Sequence, residues 1–262
     1  GVIADLANNI LARRTTLLAP QLTLSLLTSL IDELLDDNPS YRQCLAALCI
    51  GSSSLAPITP FMDVLKQTFP VPILPLETVT LASVGEAEVG GMQEQRAFAL
   101  FYLGAKSYSC FYLNGESRVG QLGLSRENRP LAARICDAGL VEAFAERISA
   151  GIPSALTTAE SARARLIFDA ARREDPAAKQ AVEAIVDDLA FALVWTAHAL
   201  NLTHIVIAGS WLVAADLLIP LLQARMQLLT DTPPNVSLAK LGEESVLMGA
   251  VRMAVKMIDK ML

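Results

Sequence analysis

Residues 189–215 contain no Asp, Glu, Lys or Arg, and this uncharged stretch is the feature that most restricts how the chain can fold. Its length satisfies the criterion for a helix that spans a membrane. The pattern changes within it, however, because residues 189–200 have helical spacing, residues 201–204 are polar and residues 205–209 are a β-branched run that ends in glycine. We therefore predict a buried helix, a turn and a buried strand.

The remaining composition favours an α/β protein. Of the 262 residues, 53% are hydrophobic and only 5% are aromatic, which is typical of helices rich in Ala, Leu and Val that pack on a sheet. The net charge of -6 argues against a nucleic-acid surface in this chain. No secretion signal opens the chain and no CxxC pair occurs, so we expect a cytoplasmic protein with four reduced cysteines.

Strands alternate with helices in both halves of the chain, which indicates two α/β lobes. We predict an N-terminal lobe over residues 1–90 and a C-terminal lobe with long helices over residues 91–262, with a ligand cleft between them. The chain starts inside a predicted strand, so we expect that the first strand of the N-terminal lobe is missing. The predicted hairpins are 2–18 and 98–114, the helices 23–35, 60–69, 78–89, 138–149, 157–173, 177–200, 212–229 and 243–261, and the single strands 44–50, 71–74, 204–208 and 236–238.

No catalytic motif stands out from residue types alone. The segment Gly104-Ala105-Lys106-Ser107 does not fit a phosphate-binding P-loop, because that motif requires glycine directly before the lysine. His198 is predicted to be a core histidine and His204 a turn residue, so no zinc site is expected from them. The adjacent carboxylates Asp187 and Asp188 are predicted to be solvated or to lie near a helix end.

Four stretches, taken in order, carry a resemblance to a known family. The chain resembles the ROK family, which comprises sugar kinases and sugar-responsive transcriptional repressors of the actin-like ATPase superfamily. The resemblance spans about residues 1–260 and implies a two-lobed actin-like ATPase (ribonuclease H-like) fold with an interlobe cleft. The four stretches are residues 71–86, 103–115, 137–143 and 205–209 together with 248–250.

The departures from the family pattern concern the phosphoryl-transfer site. The catalytic aspartate of the family falls on Thr78 and the asparagine before it on Glu77, and a threonine hydroxyl is too weakly basic to accept a proton near neutral pH. The family's glycine-rich phosphate hairpin reads Gly104-Ala105-Lys106-Ser107-Tyr108 here. We expect the bulk of Lys106 and Tyr108 to fill the turn and exclude a triphosphate, leaving a degenerate phosphate hairpin.

The residues that the family uses for zinc and sugar are also changed. The metal histidine corresponds to Leu124 and one metal cysteine to Leu140, and Cys136 alone cannot form a tetrahedral site, so we predict that no metal is bound. Among the sugar ligands, Glu142 keeps its type, whereas Gln121 replaces a glutamate.

These observations lead to one main hypothesis and two alternatives. We predict a non-catalytic effector-sensing and dimerisation body of a ROK-type transcriptional regulator, without a cofactor, that binds a sugar or sugar derivative through Glu77, Thr78, Gln121 and Glu142. The resemblance implies a homodimer and a helix-turn-helix segment upstream of Gly1 as the only contact with DNA. The alternatives are a sugar kinase with an altered active site and a purely structural subunit.

Overall fold

The computed structural model describes residues 1–16, 22–120, 125–126, 129–157 and 163–261. Its strands are β1 (Val2–Ala4), β2 (Ile10–Arg13), β3 (Leu48–Ser52), β4 (Ile73–Glu77), β5 (Ala97–Tyr102), β6 (Tyr108–Leu113), β7 (Glu116–Gly120), β8 (Ser125–Arg126), β9 (Arg129–Pro130), β10 (His204–Ala208) and β11 (Asn235–Leu238). Its α-helices are α1 (Leu24–Leu35), α2 (Pro39–Cys44), α3 (Met62–Thr68), α4 (Thr78–Glu88), α5 (Leu131–Arg134), α6 (Asp137–Ser149), α7 (Ala164–Arg172), α8 (Pro176–Leu200), α9 (Ala215–Leu229) and α10 (Glu244–Asp259).

The chain divides into two compact units. The first unit contains residues 1–94 and 244–262, and the second contains residues 95–243. We predicted a division into residues 1–90 and 91–262, and the structure differs mainly in the last helix. Helix α10 belongs to the first unit because its contacts are with α4 and β3. The cleft predicted between the lobes stays a prediction.

The first unit contains two small sheets and the helices α1–α4 and α10. Strands β1 and β2 pair antiparallel, whereas β3 and β4 pair parallel. Side chains from α1 and α3 form a hydrophobic cluster of Ile31, Leu35, Leu65 and Phe69. Helix α4 is buried around most of its circumference, which is typical of a helix in the centre of a core.

Glycines bring α4 and α10 unusually close together. A Cβ atom on Gly249 would lie 1.8 Å from the backbone oxygen of Leu81, and a Cβ on Gly85 would lie 2.1 Å from the backbone oxygen of Ser245. No side chain fits at such distances, so both positions require glycine. The family signatures around residues 78–86 and 248–250 are therefore the two sides of one helix contact.

A five-stranded sheet with helices forms the second unit. The strand order is β11-β10-β5-β6-β7, with β10 parallel to both of its neighbours and β6 antiparallel to both β5 and β7. Helices α6, α7, α8 and α9 contribute their buried faces to the core of this unit. The strands β6 and β7 are joined by Asn114 and Gly115, whose φ angles of 51° and 93° suit a two-residue hairpin turn.

The uncharged stretch folds as predicted into a helix, a turn and a strand. Asp175 caps α8 by accepting a hydrogen bond from the Ala178 amide, and Pro176 occupies the first turn. The helix ends at Asn201, which adopts the left-handed conformation with φ 51°, and β10 follows. By length and composition alone, one described segment, Ser210–Leu229, is apolar enough to cross a membrane.

Several predictions about the burial of single residues and about short elements are wrong. Asp188 is buried rather than solvated, because Arg134 pairs with it. His198 is exposed rather than in the core, and its Nε2 lies 3.2 Å from Thr230 Oγ1. Helix α2 and strand β7 were not predicted.

Candidate functional site

The start of α4 is the first candidate site. Strand β4 ends at Glu77 and α4 begins at Thr78, so these two residues form the junction between a strand and a helix. Both are half-buried, and the Glu77 side chain makes no capping hydrogen bond to the helix. A hydroxyl and a carboxylate therefore lie side by side where the peptide N–H groups of the first helical turn point outward.

The turn between β5 and β6 is the second candidate site. Residues 103–107 connect Tyr102 to Tyr108, which are paired across the two strands. None of these turn residues has a positive φ angle, so Ala105, Lys106 and Ser107 occupy it without backbone strain. Burial, with a smaller contribution from the Glu243 carboxylate, raises the pKa of Tyr102 and keeps its phenol protonated.

Hydrogen bonds fix this turn to neighbouring elements of the second unit. The amide of Leu103 donates to the oxygen of Ala208 at 2.8 Å, and the amide of Asp137 donates to the oxygen of Gly104 at 2.9 Å. The Ser107 hydroxyl donates to the backbone oxygen of Ile135. The turn is thus held against the end of β10 and the start of α6.

Two glycines allow this close packing. A Cβ on Gly209, which has φ 96°, would lie 2.2 Å from the oxygen of Leu103, and a Cβ on Gly104 would lie 2.6 Å from Ser210 Oγ. The Trp211 indole N–H also donates to Asp137 Oδ1 at 2.6 Å, which joins the segment after β10 to the start of α6. Gly104 and Gly209 are therefore packing positions in this structure.

The structure corrects the prediction for Lys106. We expected its side chain to fill the turn, but Ala105 and Lys106 lie in a bend between the strands and are both exposed. Tyr108 is half-buried at the start of β6. Within the part of the chain that the structure describes, the backbone N–H groups of Ala105 and Lys106 donate to no acceptor.

Glu142 is the third candidate site. Its ion-pair partner was not predicted from the sequence. Glu142 lies on α6, and its Oε2 accepts a hydrogen bond from Arg129 at 2.5 Å. Both side chains are partly exposed, so the carboxylate is neutralised without being removed from solvent. Arg129 was visible in the sequence only as one member of an arginine-rich loop. Gln121, the other predicted sugar ligand, lies outside the described residues.

A cavity of about 420 Å³ opens beside α6 and α8. The buried ion pair in its wall joins Arg134 Nε to Asp188 Oδ2 at 2.5 Å. Three arginines are balanced by three carboxylates, so the lining favours neither an anion nor a cation. The charged lining residues are Arg129, Arg134, Arg147, Glu146, Asp187 and Asp188.

The residues present do not fit the family's zinc ion. Leu140 is fully buried in the hydrophobic core, and the Cys136 thiol donates to the backbone oxygen of Ala133 at 3.4 Å. Within the described ranges, no three His, Cys, Asp or Glu side chains form a group that could hold a metal ion. Leu124 lies outside those ranges.

Comparison with solved structures defines the class of fold. A ROK family glucokinase from Streptomyces griseus, in complex with glucose and AMPPNP, matches 97% of this chain and 95% of its own at 16% identity, with a TM-score of 0.77. A ROK family transcriptional regulator, a homolog of the E. coli MLC protein, matches 98% of this chain and 74% of its own at 16% identity, again with a TM-score of 0.77. The chain thus has the actin-like ATPase fold of these proteins.

The match between the sequence and a family model identifies the family of this chain. The ROK family model matches residues 2–257, and the chain belongs to the ROK family, as the four stretches predicted. A ROK family protein from Streptococcus pneumoniae in complex with sucrose is also similar, at 12% identity over 99% of this chain and 94% of its own, with a TM-score of 0.73. The family includes both sugar kinases and transcriptional regulators. No curated protein matches the chain.

Proposed function

We propose that this chain is the non-catalytic, dimeric effector-sensing body of a ROK-type transcriptional regulator. The observation that carries the proposal is Thr78 as the first residue of α4, the position on which the sequence resemblance places the family's catalytic aspartate. A threonine hydroxyl cannot accept the sugar's proton near neutral pH, so a bound sugar would persist unchanged. A sugar would then act by favouring one conformation of the protein over another.

The charge of the chain supports a sensing body that does not itself contact DNA. Its net charge of -6 disfavours contact with phosphate backbones. The match with the similar regulator covers 98% of this chain but only 74% of the regulator. Part of the regulator therefore has no counterpart in these residues. DNA recognition would therefore belong to a segment other than these residues.

One sugar ligand is proposed from the geometry of α6. Glu142 retains its carboxylate on an exposed helix face, and Arg129 holds that carboxylate at one oxygen. The other oxygen is available to accept a sugar hydroxyl, because only Oε2 is bonded to Arg129. A hydrogen bond to a charged group contributes about 1.5 to 3 kcal/mol.

A sugar kinase with an altered site is the second candidate, and two observations favour it. Glu77 places a carboxylate one residue before Thr78, and its side chain makes no capping bond that would occupy it. The exposed N–H groups of Ala105 and Lys106, with the Lys106 ammonium, offer donors to a phosphate. In this alternative Glu77 replaces the missing base.

Calorimetric titration of the chain with glucose, sucrose, their phosphates and Mg-ATP separates the candidates. We expect binding of a sugar or sugar phosphate without ATP consumption. The Glu142→Gln variant should then bind that ligand roughly 10-fold more weakly, which corresponds to one weakened charged hydrogen bond. Glu146→Gln, on the same helix but outside the proposed contact, is the matched control and should bind normally.

Turnover assays decide between sensor and kinase. Consumption of ATP in step with a sugar by the unmodified chain would overturn the sensor proposal, and its loss in Glu77→Gln would establish the alternative. The Thr78→Asp variant restores the carboxylate of the family, so turnover gained only in this variant would support the sensor. The absence of any binding by the folded chain would instead favour a structural subunit.

A further inference from the structure

The cavity of about 420 Å³ beside α6 and α8 carries its opposite charges on different walls. Helix α8 forms an acidic wall, because it supplies the carboxylates of Asp187 and Asp188 and no basic residue. Strand β9 and helices α5 and α6 form a basic wall with three guanidinium groups and one carboxylate, Glu146, whose side chain is 60% exposed. The guanidinium groups of the basic wall belong to Arg129, Arg134 and Arg147.

One ion pair joins the two walls. Arg134 Nε lies 2.5 Å from Asp188 Oδ2, and the side chain of Asp188 is only 1% exposed. A carboxylate buried to this extent requires a partner, so this pair belongs to the folded chain itself. The charged groups that a ligand could use are the more exposed ones, above all Arg147 and Asp187.

Arg147 has unused hydrogen-bond donors on the basic wall. Its side chain is 26% exposed, and its Nη1 donates to Oε2 of the neighbouring Glu146 at 3.1 Å. Among the residues that the structure describes, Nε and Nη2 of Arg147 donate to no acceptor. A guanidinium group is a planar fork of donors that matches the two oxygens of a carboxylate. Arg147 can therefore bind a ligand carboxylate through two parallel hydrogen bonds.

Asp187 has an unused acceptor on the acidic wall. Its Oδ1 lies 2.8 Å from Arg225 Nε on α9, whereas its Oδ2 accepts no hydrogen bond in the described part of the chain. An ionised carboxylate has about four acceptor positions, so the contact with Arg225 does not exhaust it. The donor that also complements the negative charge of this wall is an ammonium group.

We propose that this cavity binds a free α-amino acid, with the carboxylate on Arg147 and the ammonium group on Asp187. An anion would meet the acidic wall and a cation would meet the basic wall, whereas a zwitterion presents each charge to its opposite. The volume of the cavity lies within the range of small-molecule sites. The amino acid would be a second ligand beside the sugar of the proposed function, because Glu142 does not line this cavity.

Thermal-shift measurements of the 262-residue chain with each standard L-amino acid identify the ligand, and calorimetric titration then measures its affinity. We expect at least one amino acid to bind. Its N-acetyl derivative lacks the positive charge and its primary amide lacks the negative charge. Each should therefore bind at least 10-fold more weakly than the free amino acid.

Two variants test the assigned contacts. Arg147→Gln and Asp187→Asn should each weaken amino-acid binding at least 10-fold. Both side chains are partly exposed, so the variants should retain the circular dichroism and melting temperature of the unmodified chain. Arg173→Gln and Asp231→Asn, at exposed positions of the second unit outside the cavity, are the matched controls and should bind normally.

The outcomes separate this proposal from that of a sugar sensor. Failure of every amino acid to bind at millimolar concentration would overturn the amino-acid site, even if a sugar binds and the sensor proposal stands. Equal affinity for the N-acetyl derivative or the amide, or normal binding by both Arg147→Gln and Asp187→Asn, would overturn it as well. Binding of an amino acid by a chain that binds no sugar would contradict the sensor and support the amino-acid site.

Discussion

The helix pairs α4–α10 and α8–α9 use their surfaces in opposite ways. Helix α4 is buried on most sides, and Gly85 and Gly249 bring it so close to α10 that backbone atoms of the two helices touch. Helices α8 and α9 bury one face in the core of the second unit and expose on the other an apolar strip, which consists of Phe191, Trp195, Leu228 and Leu229. The first pair buries most of its apolar surface within the chain, whereas the second leaves part of its apolar surface exposed.

The difference distinguishes residues whose side chains are closely packed from residues whose side chains remain in contact with solvent. A substitution in a closed contact changes the free energy of unfolding, because no neighbouring group can move away. A substitution in the exposed strip changes that free energy little, because the side chain already contacts water. The following variants test this distinction, beginning with the largest expected effect.

Gly249→Val should destabilise the chain by about 4 kcal/mol or more, since its new Cβ overlaps the backbone oxygen of Leu81. Urea denaturation measures this loss. Ala250→Val, on the next residue of the same helix, adds similar bulk at a half-buried position and is the control. Equal losses in the two variants would contradict the close contact.

Arg134→Met should lower the free energy of unfolding by about 3 kcal/mol, because it leaves the Asp188 carboxylate buried without its ion-pair partner. Thermal and urea denaturation provide the measurement. The double variant Arg134→Met, Asp188→Leu removes both charges and should recover most of the loss. A double variant as unstable as the single one would argue against a buried ion pair.

Glu88→Gln should cost about 1 to 2 kcal/mol at pH 7. Burial alone would raise the pKa of Glu88, but hydrogen bonds from Lys256 and Arg252 outweigh it and lower the pKa below its ordinary value of 4.5. A lowered folded-state pKa contributes stability above the unfolded-state pKa and loses it as the pH falls through the folded-state value. The difference between wild type and variant should therefore vanish in acid.

The control for Glu88 is Glu116→Gln. Glu116 pairs with Arg118 while both side chains are more than two-thirds exposed, so this pair should contribute almost nothing at any pH. Denaturation curves at pH 7 and pH 3 measure both variants. A stability difference for Glu88→Gln that does not change with pH would show that its charge is not the cause.

Leu228→Ala should change the free energy of unfolding by less than about 0.5 kcal/mol, because its side chain is 77% exposed. Leu222→Ala, on the same helix but fully buried, should cost about 2 to 5 kcal/mol. Both are measured at protein concentrations low enough to avoid association. Similar losses in the two variants would mean that Leu228 contributes to the fold of a single chain.

Local sequence signals predicted much of the fold and part of the candidate site. The β-branched run before Gly209 predicted strand β10, and the helical spacing before Asn201 predicted α8. Asn114-Gly115 is a sufficient signal for the hairpin that leads to β7, although this hairpin was not predicted. Glu77 and Thr78 were correctly expected at the start of a helix.

Local sequence signals could not predict contacts between residues that are far apart in the chain. Asp187 and Asp188 look alike in the sequence, yet Asp188 is buried against Arg134, which lies 54 residues earlier. The Glu142 partner Arg129 lies on another element, and no periodicity connects the two. The placement of α10 beside α4 likewise depends on Gly85 and Gly249, whose packing role appears only when both helices are in place.

The sequence by itself determined the ROK family and the order of most helices and strands, because both depend on residue types in local order. The tertiary structure alone decided which carboxylates are paired, that Lys106 faces solvent and that the apolar strip is exposed. The physical reason is that burial and pairing are properties of surfaces that meet, and those surfaces come from segments far apart in the chain.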